Sequence, residues 1–198
     1  MQEEIHMIEK NKTWVLVDRP CNKNVNGVQW IFRTKLNADG SISKHKARLV
    51  AKGYSQQPEI DFYETFALVA MLHTIRLLLA LAAQKGWKIY QLDVKSAFLN
   101  GFLEVEIYIE QHEGFVTKGH ENKVYLLKKA LYRLKQAPRA WNSRIYDHLM
   151  KLGFKKSLSE VTLYIKSLEK NDMLIVSLYV DDLLVIGSKY ALIEEFKL

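Results

Sequence analysis

LYVDDLLVI, residues 178–186, is the stretch that decides the fold. Strand-forming apolar residues stand on both sides of two adjacent acids, Asp181 and Asp182. Because Asp is a favoured turn residue, the pattern predicts a tight β-hairpin with both acids at its tip. The pair can be a turn and nothing more, but two carboxylates at the end of a buried sheet repel each other and require cations.

A third acid follows an apolar segment earlier in the chain. WKIYQL, residues 87–92, predicts a buried strand, and Asp93 comes directly after it. If this strand pairs with the hairpin, Asp93 and Asp181 meet and offer oxygen ligands from two strands, which suits Mg²⁺. Two such ions, about 3.5–4 Å apart, can activate a 3′-hydroxyl and stabilise a leaving pyrophosphate. The predicted chemistry is in-line nucleotidyl transfer.

Basic residues are concentrated in two segments. Residues 33–56 contain six Lys or Arg and one acid, and residues 118–156 contain eleven Lys or Arg and two acids, in a chain of net charge +7. The first segment includes a predicted hairpin, with a strand over 28–36, a turn at 37–40 and a return strand from Ser41. Such faces either contact an acidic partner such as nucleic acid or are simply solvated.

The remaining elements complete an α+β pattern. Thr74 is placed to cap an apolar helix that Gly86 ends, and this helix should be buried because it is apolar nearly all round. Pro138 suits the first turn of a second helix. A polar segment, 169–172, joins two further strands, and Ser188 can cap a last helix. The order predicts an antiparallel sheet covered by helices on one face.

Several classes of protein are excluded by composition. The single cysteine, Cys21, rules out an internal disulfide, and the six histidines show no metal-ligand spacing. There is no phosphate-binding loop motif. Residues 1–10 lack the apolar core of a signal peptide, and the longest apolar run, 77–83, is too short to cross a bilayer. We expect an intracellular protein that does not enter a membrane.

Four motifs in this order resemble the reverse transcriptases of copia-type LTR retrotransposons. They are KARLVAKGY (46–54), QLDVKSAFLNG (91–101), LKQAPRAW (134–141) and LYVDD (178–182). The resemblance extends over residues 14–198 and is specific, because all four motifs occur in the family's order. It implies the fingers and palm of a reverse transcriptase, with an antiparallel palm sheet.

The resemblance also implies a division of the chain. Residues 1–13 would be an N-terminal tail, and residues 14–72 would form mainly the fingers β lobe. Residues 73–198 would form mainly the palm, truncated at its C-terminus, with part of the fingers around 111–137. The thumb and RNase H domains that follow in the family would be absent.

The site residues implied by the resemblance fall into three groups. The catalytic and metal-binding group is Asp93, Val94 (through its carbonyl), Asp181 and Asp182. The nucleotide-binding group is Lys46, Arg48, Phe98 and Gln136. The nucleic-acid-binding group is Lys52, Lys135 and Arg139. Phe98 would be a steric gate against a ribose 2′-hydroxyl, although an aromatic at this position can equally be an ordinary core residue.

The implied function is RNA-directed DNA synthesis. Two Mg²⁺ ions, with Mn²⁺ as a second candidate, would serve the addition of dNTPs to a primer 3′-hydroxyl on an RNA or DNA template. The partners would be primer–template, dNTPs and the rest of a polyprotein (thumb, RNase H and integrase). The location would be a cytoplasmic virus-like particle, with delivery of the product to the nucleus. The alternative is a catalytically inert fragment with residual nucleic-acid binding; another palm-type nucleotidyl transferase or cyclase is a third interpretation, which the fingers and helix-entry motifs do not support.

Five positions depart from the family's usual residues. Arg133 replaces a glycine that would allow a close backbone approach or a positive φ, so we expect impaired function. The other four are Leu68, Met71, His73 and His112, which stand where the family usually has Pro, Arg, Asp and Pro. Losing an acid at 73 removes a favourable charge near a helix N-terminus.

Overall fold

The computed structural model describes residues 1–67, 69–167, 172–189, 193, 194 and 196, and within them the chain is α+β as predicted. Two short 3₁₀ turns, Gly53–Ser55 and Ala97–Asn100, accompany the main elements. In chain order these are α1 (Gln2–Lys10), β1 (Trp14–Val17), β2 (Val25–Asn26), β3 (Val28–Leu36), β4 (Ile42–Ala51), α2 (Leu72–Lys85), β5 (Lys88–Asp93), β6 (Phe102–Ile109), β7 (Val124–Lys129), α3 (Ala137–Lys151), β8 (Lys155–Lys156), β9 (Leu163–Ser167), β10 (Met173–Tyr179) and β11 (Asp182–Gly187).

The chain forms two compact units. Unit 1 contains Met1–Phe66 and Phe98–Trp141, and unit 2 contains Ala67–Ala97 and Asn142–Leu198. The first boundary therefore falls before the predicted one at residue 72, and unit 1 takes a longer second segment than the predicted 111–137. Leu68, residues 169–171 of the predicted polar connection and most of the predicted helix after Ser188 lie outside the described residues.

Unit 1 is built from a four-stranded sheet, in the order β1-β7-β6-β2, and the β3–β4 hairpin. The predicted hairpin is confirmed: β3 and β4 pair antiparallel, and Gly40 takes φ +83° in the turn. The Asp39 carboxylate accepts hydrogen bonds from the N–H and the hydroxyl of Ser41, 2.9 and 2.6 Å long. This local chemistry explains why the turn could be located from the sequence.

The N-terminal segment, which the sequence predicts as a tail, contains a helix. α1 buries Ile8 completely and packs Ile5 against the core of unit 1. Acids in its first turn, Glu3 and Glu4, and Lys10 in its last turn suit the helix dipole. The two isoleucines are three residues apart and so share one face, which is a short apolar stripe among polar residues.

Unit 2 is built on an antiparallel sheet in the order β5-β11-β10-β9-β8. The predicted hairpin is confirmed as β10–β11, but its turn is one residue earlier than expected. Tyr179 pairs with Asp182, so the two central turn residues are Val180 and Asp181. Asp182 is the first residue of β11, not part of the tip.

Helices lie on both faces of this sheet, so the prediction of cover on one face is wrong. Leu78 and Ala82 of α2 pack on the face that carries Ile175 and Ile186. Tyr164 pairs with Val176, one residue from Ile175, and so points to the opposite face. There its ring centroid lies 6.3 Å from that of Tyr146 on α3. Residues 174–178 of β10 are all buried, including Ser177, and such an unbroken run of buried residues is typical of a strand covered on both sides.

The predicted burial of α2 is also wrong. α2 begins at Leu72, with Met71 as its N-cap and not Thr74, and it ends as predicted at Gly86, where φ is +66°. Only Leu78 and Ala82 are buried in it, whereas Leu77 is 69% exposed. One sheet face can cover one stripe of a helix, so the other apolar residues remain outside. The α3 prediction is confirmed, because Pro138 lies in its first turn and Trp141, Ile145 and Leu149 are buried.

Candidate active site

The three predicted acids lie at one end of the unit 2 sheet. β5 pairs antiparallel with β11, and in this register Asp93 is the direct partner of Asp182. The N–H of Val94 donates a 2.9 Å hydrogen bond to the carbonyl of Asp181. The pairing on which the sequence argument depended is therefore present, and it places Asp93, Asp181 and Asp182 on neighbouring backbone positions.

The carboxylates themselves are accessible. Asp93 is exposed, and Asp181 and Asp182 are half-buried. The amide of Gln91 donates a 3.2 Å hydrogen bond to Asp182 Oδ1. The prediction that β5 is a buried strand is wrong: β5 is an edge strand of the described sheet, and its residues are exposed or half-buried.

The donor set fits a hard divalent cation. Its oxygens come from three carboxylates, with the Val94 carbonyl adjacent, and Mg²⁺ prefers oxygen ligands. Within the part of the chain that the structure describes, no three Asp, Glu, His or Cys side chains converge closely enough to hold a metal as they stand. Like charges repel, so these carboxylates need a cation to bring them to one point.

The hairpin turn at the acids is strained. Val180 has φ +55°, whereas Asp181, the second central residue, is not among the positive-φ residues. This pattern is that of a type II′ turn, whose first central position favours glycine. A β-branched residue with positive φ costs on the order of 1–3 kcal/mol and persists only where its surroundings impose it. Here the buried β10–β11 pairing imposes it.

The predicted nucleotide-binding cations lie on one face of the β3–β4 hairpin. Lys46 pairs with Arg33, and Arg48 and Lys44 extend the same face because alternate strand residues point the same way. Lys35 pairs with Lys44. We name these five cations (Arg33, Lys35, Lys44, Lys46 and Arg48) the cationic face. Burial, and then the neighbouring cations Arg48, Lys35 and Lys44, lower the pKa of Lys46. A bound polyanion would relieve this repulsion.

Arg48 has two neighbours that sequence reasoning did not find. Its guanidinium carbon lies 5.0 Å from the centre of the Tyr132 ring, and its Nε is buried without a hydrogen-bond partner. The second neighbour is Glu4 of α1. Burial raises the pKa of Glu4, against the opposing effects of Arg48, the Leu49 N–H and Lys46. α1 thus places a carboxylate beside the cations predicted to hold the triphosphate.

Phe98 and Gln136 are less accessible than their predicted roles suggest. Phe98 is half-buried against the core of unit 1, with its ring edge-on to Tyr132 at 5.8 Å. Gln136 is 8% exposed, and its amide is engaged within the protein. Its Oε1 accepts a 3.2 Å hydrogen bond from Gln56, and its Nε2 donates one of 3.2 Å to the Asp61 carbonyl.

The three predicted nucleic-acid contacts differ in their surroundings. Lys135 is exposed, and the stem of Lys52 lies against Gly27, where an added Cβ would be 3.0 Å from Lys52 Cδ. Arg139 forms a 3.0 Å ion pair with Glu64, and both side chains are largely solvated. Exposed ion pairs contribute about 0–1 kcal/mol, so a phosphate could replace Glu64 at low cost.

Comparison with known proteins identifies the family. Residues 11–198 match the sequence model described as "Reverse transcriptase (RNA-dependent DNA polymerase)". The chain belongs to the reverse transcriptase family. The resemblance to copia-type reverse transcriptases that the four motifs indicated is confirmed.

The chain is similar to a part of each of several much longer polyproteins. The chain is 42% identical over 197 residues to the retrovirus-related Pol polyprotein from transposon TNT 1-94 of Nicotiana tabacum, covering 100% of this chain and 15% of that protein. It is 43% identical over 189 residues to the Pol polyprotein from transposon RE1 of Arabidopsis thaliana, covering 95% and 13%. The Ty1-BL Gag-Pol polyprotein of Saccharomyces cerevisiae is 31% identical over 207 residues, covering 99% and 11%. The chain thus spans well under a quarter of each relative.

No helix among the described residues is long and apolar enough to cross a membrane.

Arg133 stands where the resemblance of the motifs implies a glycine. Its φ is +66°, so the residue adopts the left-handed conformation for which glycine is suited. Its carbonyl oxygen would lie 2.0 Å from a Cβ added to Gly53. The backbone therefore makes both the positive φ and the close approach, while the Arg133 side chain is exposed.

An acid from a distant part of the chain lies near position 73, where the resemblance implies an aspartate. Glu160, 8% exposed, accepts hydrogen bonds from Thr74 Oγ1 (2.8 Å) and from the hydroxyl and N–H of Thr162 (2.8 and 3.1 Å). Burial acts to raise the pKa of Glu160, but these hydrogen bonds and one from the Met71 N–H lower it. An acid thus reaches the N-terminus of α2 by a long-range contact. His73 itself is exposed, and His112 packs edge-on to Trp30 at 5.6 Å.

Proposed function

We propose that this chain is the catalytic part of a retrotransposon reverse transcriptase, which adds dNTPs to a primer 3′-hydroxyl on an RNA or DNA template by two-metal nucleotidyl transfer. One observation carries the proposal: the β5–β11 register pairs Asp93 with Asp182 and bonds Val94 to Asp181. A turn with a purely structural role requires no third acid on the adjacent strand.

Asp93, Asp181 and Asp182 would hold the two divalent cations, with the Val94 carbonyl beside them. Bound Mg²⁺ would supply activation of the attacking hydroxyl and charge neutralisation at the leaving pyrophosphate. The protein's own part is to fix the ligands on paired strands, which limits their movement, and to keep Asp181 in place through the strained turn at Val180. Mn²⁺ has the same preference for oxygen ligands and should replace Mg²⁺.

The cationic face would bind phosphate. Lys46 and Arg48 would hold the incoming triphosphate, and Phe98 would exclude a ribose 2′-hydroxyl. Lys52, Lys135 and Arg139 would contact the template or primer backbone, where such contacts fix position without reading sequence.

The two units correspond in our proposal to the family's lobes. Unit 1 would be the fingers, extended by α1, and unit 2 would be the palm. The rest of a polyprotein, including thumb, RNase H and integrase, would be the further partner, since each of the similar polyproteins is far longer than this chain. The site of action would be a cytoplasmic virus-like particle, with the product delivered to the nucleus.

The second candidate is an inert fragment that retains nucleic-acid binding. Arg133 favours it, because an arginine with positive φ stands where the resemblance implies a glycine. The basic faces of unit 1 would still bind a polyanion.

Primer extension decides between the two candidates. The unaltered chain, Arg133→Gly and Asp181→Asn would be compared on poly(rA)/oligo(dT) with Mg²⁺ at low salt, because phosphate contacts weaken as salt rises. Extension by the unaltered chain that is lost in Asp181→Asn supports the polymerase. Extension only after Arg133→Gly locates the defect at that residue. Silence from all three chains, each shown by circular dichroism to be folded, supports the inert fragment.

A further inference from the structure

A chain of hydrogen bonds runs through the interior of unit 1 beside the entry to α3. The Lys135 N–H donates to Gln56 Oε1 at 2.9 Å, and Gln56 Nε2 donates to Gln136 Oε1 at 3.2 Å. Gln136 Nε2 then donates to the Asp61 carbonyl at 3.2 Å. Gln56 and Gln136 are 6% and 8% exposed, so water does not compete strongly for these bonds.

The polarity of this chain is fixed at both ends by the backbone. An N–H can only donate and a carbonyl can only accept, so Gln56 must turn its oxygen toward Lys135 and its nitrogen toward Gln136. Gln136 must then turn its oxygen toward Gln56 and its nitrogen toward Asp61. Each amide therefore has one orientation, and Gln56 and the Asp61 carbonyl together fix the orientation of Gln136.

Gln56 is itself held in place by the turn that precedes it. Its N–H bonds to the Gly53 carbonyl at 3.3 Å, which closes the 3₁₀ turn Gly53–Ser55. A Cβ at Gly53 would lie 3.5 Å from Gln56 Oε1 as well as 2.0 Å from the Arg133 oxygen. The turn, Gln56 and the segment before α3 are thus packed as one body within unit 1.

We infer that Gln56 is a positioning residue for nucleotide binding, an inference that rests on the proposed function. An amide nitrogen has two hydrogens, and the protein uses one of those on Gln136. The other remains for an oxygen acceptor on the incoming deoxynucleotide, and its direction is fixed because Gln56 and the Asp61 carbonyl together prevent the amide from rotating. Gln56 acts through Gln136 and does not touch the substrate.

The test reverses the hydrogen-bond polarity. In Gln56→Glu, one carboxylate oxygen still accepts from Lys135 while the other can no longer donate to Gln136, so the Gln136 amide loses one of the two hydrogen bonds that fix its orientation. Gln57→Glu is the matched control, because Gln57 is the exposed neighbour and carries the same charge change. KM and kcat for dTTP would be measured on poly(rA)/oligo(dT), and thermal unfolding would verify folding. If Gln56→Glu does not fold, Gln56→Met, which also lacks the donor, takes its place.

We expect Gln56→Glu to raise KM for dTTP roughly five- to tenfold, the equivalent of one lost hydrogen bond, with a smaller change in kcat. In a Gln136→Ala background the same substitution should change KM less than twofold, because the residue through which it acts is gone. An unchanged KM, or an equal rise in both backgrounds, overturns the positioning role while leaving the polymerase intact. If the unaltered chain is folded but extends no primer, the proposed function fails and this inference fails with it.

Discussion

Replacing Arg133 by glycine should stabilise the protein, which is unusual for a glycine substitution. The left-handed conformation at φ +66° costs a non-glycine residue on the order of 1–2 kcal/mol. Glycine adopts it freely but loses about 0.5–1 kcal/mol more conformational entropy on folding. The Arg133 side chain is exposed, so little packing is lost with it. The expected net gain is about 0.5–1 kcal/mol, or a rise in Tm of roughly 1–4 °C for a chain of this size.

Urea denaturation followed by circular dichroism measures this difference directly. Lys135→Gly is the matched control, because Lys135 is also exposed and lies in the same segment but is not a positive-φ residue. The control should lose about 0.5–1 kcal/mol, so the two glycine variants should move in opposite directions. If Arg133→Gly loses as much stability as Lys135→Gly, the conformation of residue 133 is not strained and the reasoning is refuted.

Three further predictions concern other contacts. Glu160→Gln should lower the free energy of unfolding at pH 7, and the difference from the unaltered chain should vanish at low pH. The folded pKa of Glu160 lies below its usual 4.5, so the stabilisation by its carboxylate is complete above that value and is lost as pH falls through the folded pKa. Urea melts from pH 7 to 3 test this, and a difference that does not change with pH contradicts it. Gly53→Ala should lower the free energy of unfolding by roughly 1–3 kcal/mol, because its Cβ would lie 2.0 Å from a backbone oxygen. Gly27→Ala should lower it less, because its Cβ meets only the flexible Lys52 side chain at 3.0 Å. Equal losses of stability in thermal melts would exclude the steric explanation. Glu4→Gln should strengthen binding of inorganic tripolyphosphate about threefold, as measured by calorimetry, because it removes a carboxylate beside Arg48 and Lys46. Glu3→Gln, at an exposed position, should leave the affinity unchanged. Identical affinities in both variants would show that Glu4 does not compete for the cations.

Features determined by local chemistry were predictable from the sequence. The β3–β4 hairpin follows from Asp39 and Gly40, and the end of α2 follows from Gly86, since each depends on residues a few positions apart. The predicted pairing of the Asp93 strand with the hairpin is present, but Asp182 and not Asp181 lies opposite Asp93. The one-residue error at the turn arose because a valine, not an aspartate, takes the positive φ.

Features determined by tertiary packing were not predictable in this way. Nothing in the composition of α2 shows that the sheet covers only the stripe of Leu78 and Ala82. The bond from Gln56 to Gln136 joins residues 80 apart, and the bond from Thr74 to Glu160 joins residues 86 apart. A polar residue that will be buried by such a contact has the same local pattern as one on the surface. The family resemblance gave Gln136 a role but could not show that its amide is already engaged.

The cationic face has a consequence for the handling of the protein. Its rungs Arg33–Lys46 and Lys35–Lys44 each set two like charges opposite each other. The hairpin therefore attracts small anions. Sulfate or phosphate buffers should stabilise the hairpin more than dilute chloride does, because they screen the repulsion between these cations more strongly. Cellular RNA, a polyanion, competes with these small anions for the same cations. The chain should consequently co-purify with RNA from a cell lysate. A high-salt wash should release the RNA, because many monovalent anions then replace the polyanion.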